Sequence, residues 1–251
     1  MKSRYSVALD GVQMSSIHEM LQVLDIHYEN SGIQRNTARR ASGSGMYLSN
    51  PYMQSTRVTV EFELHIYGTA QRQAALQSVN KWALGKTLTT SDRPGQQLHV
   101  VCESYPTIES AMRWTDPINI TFTAYALPYW EEVQPVTVTV TNDEEYMDVP
   151  GNVEDQAAKV DAEITANAAL TALSISAGEN TITLSGINVP AEGVISISHD
   201  EDGNLQITHN YASLLDKRTG SDDLVVKSGT GSMFSVAGNA TCVFSVRGLW
   251  M

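Results

Sequence analysis

The sequence predicts a mainly β protein with two domains, of which only the first contains a helix. Apolar and polar residues alternate along several segments, as they do in half-buried antiparallel strands. Only one segment carries apolar residues at helical spacing. The net charge of −12 is also divided unevenly, because residues 1–134 carry 11 basic and 12 acidic side chains while residues 135–251 carry 5 and 16. This asymmetry suggests two units with different surroundings.

The clearest strand of the first half covers residues 56–67. Five apolar residues alternate there with polar ones: Val58, Val60, Phe62, Leu64 and Ile66. A period of two predicts one buried face and one exposed face. The same reasoning predicts further strands at residues 7–9, 20–28, 97–103 and 118–126.

The single helix is predicted over about residues 70–84, where five apolar residues recur at helical spacing: Ala75, Leu76, Val79, Trp82 and Ala83. Thr69 has a side chain that is suited to cap the start of this helix. Gly85 lies just past its end, where helices often place glycine.

A long hairpin is predicted over about residues 36–52. This segment is polar, rich in glycine and serine, and basic at Arg39 and Arg40. It lies between two apolar strand regions, and its length exceeds that of an ordinary connection. Two interpretations remain open at this point, namely an arm that reaches a neighbouring subunit and a surface hairpin without a partner.

Pro135 marks the predicted domain boundary, because proline cannot donate a hydrogen bond to a sheet ladder. The first domain is therefore assigned to residues 1–134 and the second to residues 135–251. Short strands separated by turn residues predict that the second, acidic domain is a sandwich or jelly roll. These strands are predicted at residues 136–140, 160–166, 172–176, 181–185, 194–198, 205–208 and 241–247.

No motif for catalysis or metal binding is complete in the sequence. Residues 85–87 read Gly-Lys-Thr, but the earlier glycine of a phosphate-binding loop is absent. Residues 200–203 resemble part of a calcium loop, yet His209 stands where that loop requires glutamate. We therefore expect a hairpin turn there, with His199 and His209 as a cross-strand pair on the surface. The sequence predicts no catalytic residue, no metal ligand, no cofactor and no enzymatic activity.

The composition also limits the surroundings of the protein. An acidic surface repels phosphate, which argues against a dedicated nucleic-acid binder. No apolar run approaches the roughly 18 residues of a membrane span, and the first residues lack a signal-peptide stretch. We expect a soluble protein that is synthesised in a cytoplasm and does not enter membranes. Cys102 and Cys242 are predicted to be small buried residues without a disulfide.

The features of the first half follow one another in a specific order. After the basic hairpin and the alternating strand come a helix that ends in Trp82-Ala83, the turn Leu88-Thr-Thr-Ser-Asp-Arg-Pro, and a last strand that leads into Pro128-Tyr129. This order resembles the N-terminal domain of siphophage distal tail proteins. In that family the helix ends in a Trp-Leu-like pair, whereas here Leu84 stands one place later.

The second half is similar to the galectin-like β-sandwich that many of these proteins carry. It opens with a Val/Thr strand, contains Ile-Ser-Ile-Ser-His-Asp at residues 195–200, and closes with Phe-Ser-Val-Arg-Gly-Leu-Trp at residues 244–250. Galectins bind sugar through a His-x-Asn-x-Arg strand that is not matched here, so sugar binding is not carried over. The resemblance implies an N-terminal β-sandwich or split barrel with one helix, followed by a C-terminal jelly-roll sandwich.

The resemblance also implies a function as a structural virion protein at the distal end of a phage tail. Family members form hexameric rings that join the tail tube to tail-tip proteins, and DNA passes through the ring without specific binding. Their sandwich domains project outward, where receptor-binding proteins attach for host attachment. A location at the virion tail tip, after synthesis in the bacterial host cytoplasm, follows from this reading. The alternatives are a carbohydrate-binding or adhesin module of a tail, and a tail tube subunit.

Two sets of residues are candidates for roles in such an assembly. The oligomer-interface candidates are basic residues and aromatics of the hairpin and helix: Arg35, Arg39, Arg40, Tyr47 and Trp82. The domain-junction candidates lie at the end of the first half: Pro128, Tyr129 and Trp130.

Overall fold

The structure is a computed structural model, and it describes residues 5–29, 33–34, 37–39, 46–48, 52–53, 55–106, 116–125, 127–153, 156–200 and 203–251. Between residues 30 and 54 it describes only the backbone of four short strands. The chain divides into two compact units, Met1–Trp130 and Glu131–Met251. The boundary predicted from the sequence follows residue 134.

The first unit contains eleven described strands and helix α1 (Thr69–Trp82). The strands are β1 (Val7–Leu9), β2 (Val12–Gln13), β3 (Leu21–Glu29), β4 (Ile33–Gln34), β5 (Thr37–Arg39), β6 (Met46–Leu48), β7 (Tyr52–Met53), β8 (Arg57–Leu64), β9 (Thr87–Thr90), β10 (Gln96–Ser104) and β11 (Ile118–Ala124). Seven of them form a sheet in the order β2-β1-β9-β10-β11-β8-β3, and each neighbouring pair is antiparallel. A single 3-10 turn, Met14–Ser16, precedes β3.

Strand β8 is central to the core of the first unit, because it pairs with β3 on one side and β11 on the other. Its alternation places Val58, Val60, Phe62 and Leu64 on a fully buried face. Phe122 of β11 lies beside Val58 in the ladder and is equally buried. The period of two in the sequence therefore corresponds to one core-facing side of the sheet.

Helix α1 begins and ends differently from the sequence prediction. Its N-cap position is Gly68, with φ of 99° and no side-chain cap, so the prediction that Thr69 caps the helix is wrong. Its C-cap is Ala83. Gly85 is not left-handed; a Cβ atom added there would lie 2.8 Å from Cβ of Leu9, so close approach to β1 requires the glycine. In the described part of the chain, no helix combines the length and apolar character needed to cross a membrane.

The predicted hairpin over about residues 36–52 is described only through its paired backbone. Strands β4 and β7 form one short antiparallel ladder, and β5 and β6 form another, with Arg39 opposite Met46 and Ala38 opposite Tyr47. The residues between these strands lie outside the described ranges, and so does the rest of this prediction.

The second unit is built almost entirely of strands. After β12 (Trp130–Glu132), which contains the boundary, they are β13 (Val136–Thr141), β14 (Glu144–Val149), β15 (Ala158–Ala166), β16 (Leu170–Ala177), β17 (Asn180–Val189), β18 (Val194–His199), β19 (Leu205–His209), β20 (Ala212–Ser213), β21 (Arg218–Gly220), β22 (Val225–Val226), β23 (Gly229–Ala237), β24 (Ala240–Val246) and β25 (Leu249–Trp250). One sheet has the order β13-β24-β15-β18-β19-β20, with β22 also paired to β15; the other has the order β14-β23-β16-β17-β21.

These two sheets bury alternate side chains in a common core. Phe234 of β23 and Phe244 of β24 belong to different sheets, and their ring centroids are 5.2 Å apart. Both side chains are fully buried. Packing of this kind is the defining feature of a β-sandwich. The predicted mainly β fold with a single helix is confirmed for the described residues.

Three local expectations are corrected by strand pairing. The nine-residue strand β23 was not predicted, because its start, Gly-Thr-Gly-Ser, has the composition of a loop; pairing with β14 and β16 makes it a strand. His199 lies opposite Leu205 and His209 opposite Ile195, so the predicted pairing of the two histidines is wrong. Cys102 is only half-buried, because the β10–β11 ladder shifts register beside it.

Candidate functional site

The predicted junction residues lie in a well-packed region at the end of the first unit. Trp130 is 1% exposed and meets the ring of Tyr28 edge-on, with centroids 5.9 Å apart. The guanidinium of Arg93 lies 5.0 Å from the Trp130 ring and 5.4 Å from the Tyr28 ring. Tyr129 is buried as well. The sequence signal for this cluster was the aromatic pair that follows the last strand of the first half.

Hydrogen bonds fix the surroundings of this aromatic cluster. The hydroxyl of Tyr28 donates to Oγ1 of Thr90 at 2.9 Å. Burial raises the pKa of Tyr28, and it outweighs the opposing effect of that hydrogen bond. Oγ1 of Thr56 donates to the carbonyl of Pro128 at 2.5 Å, which joins the chain before β8 to the end of the unit. Ring contacts, the guanidinium of Arg93 and these hydrogen bonds together hold the cluster in place.

Trp82 is the one interface candidate whose side chain the structure describes. Its Nε1 donates to the carbonyl of Val12 at 2.7 Å, and its ring meets Phe122 edge-on at 6.0 Å. These contacts attach the end of α1 to β2 and to the core. Arg35 and Arg40 lie outside the described residues, and Arg39 and Tyr47 are described by backbone alone. The structure therefore does not bring the five candidates together or separate them.

An open groove of about 340 Å³ lies beside the end of α1. It is lined by Gln77, Asn80, Lys81, Leu84 and Tyr105. Leu84 is 67% exposed and Tyr105 is 47% exposed, so two large apolar surfaces face solvent there. Sequence reasoning missed this groove. The available signal was Leu84. It follows the buried Ala83, and helical spacing does not require an apolar side chain at position 84, so an apolar residue there could have indicated an exposed contact surface.

The described residues contain little that supports chemistry. Within them, no group of three histidine, cysteine or acidic side chains is placed to hold a metal ion. Cys242 is buried and its pKa is raised by that burial to about 12, so it remains a thiol at neutral pH. Burial also raises the pKa of Cys102. A buried histidine with two carboxylate partners, His199, belongs to the second unit.

The chain has no match among protein-family profiles, and no curated protein matches it. Solved structures do match. The Dit protein of phage SPP1, described as a paradigm of the hub adsorption apparatus of phages that infect Gram-positive bacteria, superposes with a TM-score of 0.72 at 13% identity. The superposition covers 97% of this chain and 98% of that one.

A second match comes from the baseplate of phage P2 in its activated conformation with calcium. It has a TM-score of 0.51 at 11% identity, and it covers 97% of each chain. At such low identity these matches establish the fold and nothing finer. The fold-level resemblance to phage distal tail hub proteins, predicted from the order of features in the sequence, is thereby confirmed across both units.

Proposed function

We propose that this protein is a structural, non-enzymatic subunit of the distal tail hub of a long-tailed bacteriophage or prophage. One observation carries the proposal: the match to the SPP1 hub protein runs through both units in order and leaves almost no residue of either chain uncovered. A fold shared by unrelated domains would match one unit alone. The absence of a complete catalytic motif from the sequence is consistent with a structural role.

The subunit assembles into a homohexameric ring through its first unit. A closed ring satisfies the interface of every subunit, so weak contacts add up to a stable assembly. The interface draws on the basic hairpin with Arg35, Arg39 and Arg40, on Tyr47, and on the end of α1 at Trp82. The open groove beside Leu84 lies on the same unit and supplies exposed apolar area of the kind that subunit interfaces use.

The ring joins the tail tube protein to tail-tip or tail-associated proteins at the virion tail tip. DNA passes through its centre without specific binding, which suits a ring-forming half whose 11 basic and 12 acidic side chains leave no excess of positive charge. The second unit is the attachment point for a receptor-binding protein. These partners follow from the proposed hub role.

The mass of the full-length protein in solution tests the ring. We expect six copies in native mass spectrometry over a range of concentrations, and annular particles in electron micrographs. A single copy at high concentration, with no annular particles, would overturn the proposal. Long tubes would instead indicate a tail tube subunit, and retention of the full chain on immobilised glycans would indicate an adhesin.

Charge reversal tests the contribution of the hairpin to the ring. Arg39→Glu with Arg40→Glu should lower the hexamer fraction in light scattering, because a neighbour's carboxylates lose their basic partners. The matched control is Lys217→Glu with Lys227→Glu, which makes the same charge change at two exposed positions of the second unit. Equal hexamer fractions in the two variants would count against the hairpin as an interface.

A further inference from the structure

The edge of β15 in the second unit is shared by two different partners. Residues 162–165 pair with β18, where Ala162 lies opposite Ile197. Residues 158 and 159 pair with β22, and the amide of Val160 donates to the carbonyl of Leu224 at 2.9 Å. Asp161 lies between the part of β15 that pairs with β18 and the part that contacts residues 224–226. His199 is the last residue of β18. We call this place the β15 fork.

Both ring nitrogens of His199 are occupied at the fork. Nδ1 lies 3.0 Å from Oδ1 of Asp161 on β15, and Nε2 lies 2.6 Å from Oδ1 of Asp223. The His199 side chain is only 8% exposed. The next residue orients the Asp223 carboxylate, because Oδ1 of Asp223 accepts a hydrogen bond from the amide of Leu224 at 2.8 Å. One imidazole therefore links two strands and a connecting segment.

The segment that His199 binds is one of the links between the two sheets of this unit. Residues 221–224 connect β21, which pairs with β17 in one sheet, to β22 (Val225–Val226), which pairs with β15 in the other. The amide of Ser221 donates to the carbonyl of Thr181 at 2.8 Å, and Nδ2 of Asn180 donates to the carbonyl of Val225 at 2.9 Å. Leu224 is fully buried. Release of Asp223 would loosen a connection that is hydrogen-bonded to both sheets.

We propose that His199 is a proton-dependent latch that holds residues 221–226 against β15 at the fork. A protonated imidazole carries two N–H groups, so it donates to Asp161 and Asp223 at the same time. A neutral imidazole has one N–H group, and its other nitrogen then directs a lone pair at a carboxylate oxygen. One of the two links is lost in that state. Where the lost link is the one to Asp223, the segment is held by its remaining hydrogen bonds, such as those with Asn180 and Thr181, and by the buried Leu224.

The electrostatic surroundings favour the protonated state. Burial disfavours the imidazolium, but hydrogen bonds and charges from Asp161 and Asp223 outweigh it and raise the pKa of His199. The other ionisable groups described on the neighbouring elements are Lys159, which donates to the carbonyl of Gly203; Glu163; Asp200, which accepts from Asn204; and Asp222, which pairs with Arg218.

The sign of the pH effect follows from this shift. The folded-state pKa lies above the unfolded value of about 6.5, so the stabilisation is fully present below that pH. It is lost as the pH rises through the raised folded-state pKa. The latch is therefore closed below about pH 6.5 and opens as the pH rises above the raised folded-state pKa of His199.

Hydrogen exchange on the full-length protein tests the latch. Between about pH 6 and about pH 9, protection of the 218–226 region, corrected for intrinsic exchange rates, should fall several-fold in the wild type. In the Asp223→Asn variant it should be low at pH 6 and change little. Asp222→Asn is the matched control, because it removes one charge from the same segment but no contact with His199, and it should behave like the wild type.

A second readout keeps the test decisive if a variant folds poorly. The ring resonances of His199 should titrate above about pH 6.5, the value of an unperturbed histidine, and Asp223→Asn should lower the His199 midpoint. Equal pH dependence of protection in wild-type and Asp223→Asn protein would overturn the latch. So would a His199 midpoint at or below about 6.5, the value of an unperturbed histidine.

Discussion

Arg93 lies over the face of Trp130, with its guanidinium carbon 5.0 Å from the ring centroid. The same guanidinium lies 5.4 Å from the ring of Tyr28, which itself meets Trp130 edge-on. One cation thus joins aromatic side chains from β3 and from the end of the first unit. In the proposed hub, this cluster stabilises the part of the chain that leads into the second unit.

Replacement of Arg93 by alanine should destabilise the first unit by about 1 kcal/mol, because the two aromatic faces lose their cation. Arg93→Lys should retain part of the effect, since lysine keeps the charge but not the planar group. Urea unfolding monitored by tryptophan fluorescence measures both. Arg57→Ala is the control, because Arg57 is 51% exposed in its pair with Glu103 and should contribute less. An equal loss for the two alanine variants would contradict the proposed cation–π contribution.

Trp82→Phe removes the hydrogen bond from Nε1 to the carbonyl of Val12 but can retain an edge contact with Phe122. We expect a loss of about 1 kcal/mol in the free energy of unfolding, from the lost bond and a small change in packing. Chemical denaturation measures it. If Trp82 also lies in the proposed ring interface, the variant should lower the hexamer fraction at concentrations where the subunit stays folded.

Gly85→Ala places a Cβ atom 2.8 Å from Cβ of Leu9 and 2.9 Å from Oδ2 of Asp10. The clash forces the chain after α1 away from β1, and we expect a destabilisation of about 1–3 kcal/mol. Leu84→Ala is the control at the neighbouring, 67% exposed position, where the effect should be about 0.5 kcal/mol or less. Similar melting temperatures for both variants would refute the steric argument.

Tyr211→Gly should stabilise the second unit by about 1 kcal/mol. Tyr211 is fully exposed and has φ of 64° in the turn between β19 and β20, where its neighbour Asn210 has φ of 48°. Paired positive φ values are typical of a hairpin turn that prefers glycine at its second position. Asn210→Gly should gain less, because asparagine tolerates this conformation. Thermal unfolding measures the melting temperatures of the two variants and of the wild type. A lower melting temperature for Tyr211→Gly than for the wild type would contradict the argument.

The two cysteines should differ in reactivity at neutral pH. Cys242 is buried with a pKa of about 12, so it should react with a maleimide only when the protein unfolds. Cys102 is half-buried and should react slowly in the native state, because its raised pKa limits the thiolate. Mass spectrometry of the labelled protein should show one adduct, absent in Cys102→Ser. A native adduct on Cys242 would show that the second unit opens.

Several elements could be predicted from the sequence because their signals are local. The alternation from Val58 to Leu64 and the helical spacing of Ala75, Leu76 and Val79 each reflect one face that is buried in the core. Burial repeats with the period of the backbone, so the pattern is visible without knowledge of any partner strand. The order of these local features was also enough to indicate the fold shared with the SPP1 hub protein.

Contacts between distant residues depended on the tertiary structure. Trp82 donates to a carbonyl 70 positions away, and His199 bonds to carboxylates 38 and 24 positions away. Such contacts depend on which strands pair and in which register, and a shift of one residue moves every side chain to the other face. Local periodicity in the sequence does not specify which strands pair or in which register. The sequence therefore determined a two-part, mainly β chain with one helix, while strand pairing decided that His199 meets two aspartates instead of His209.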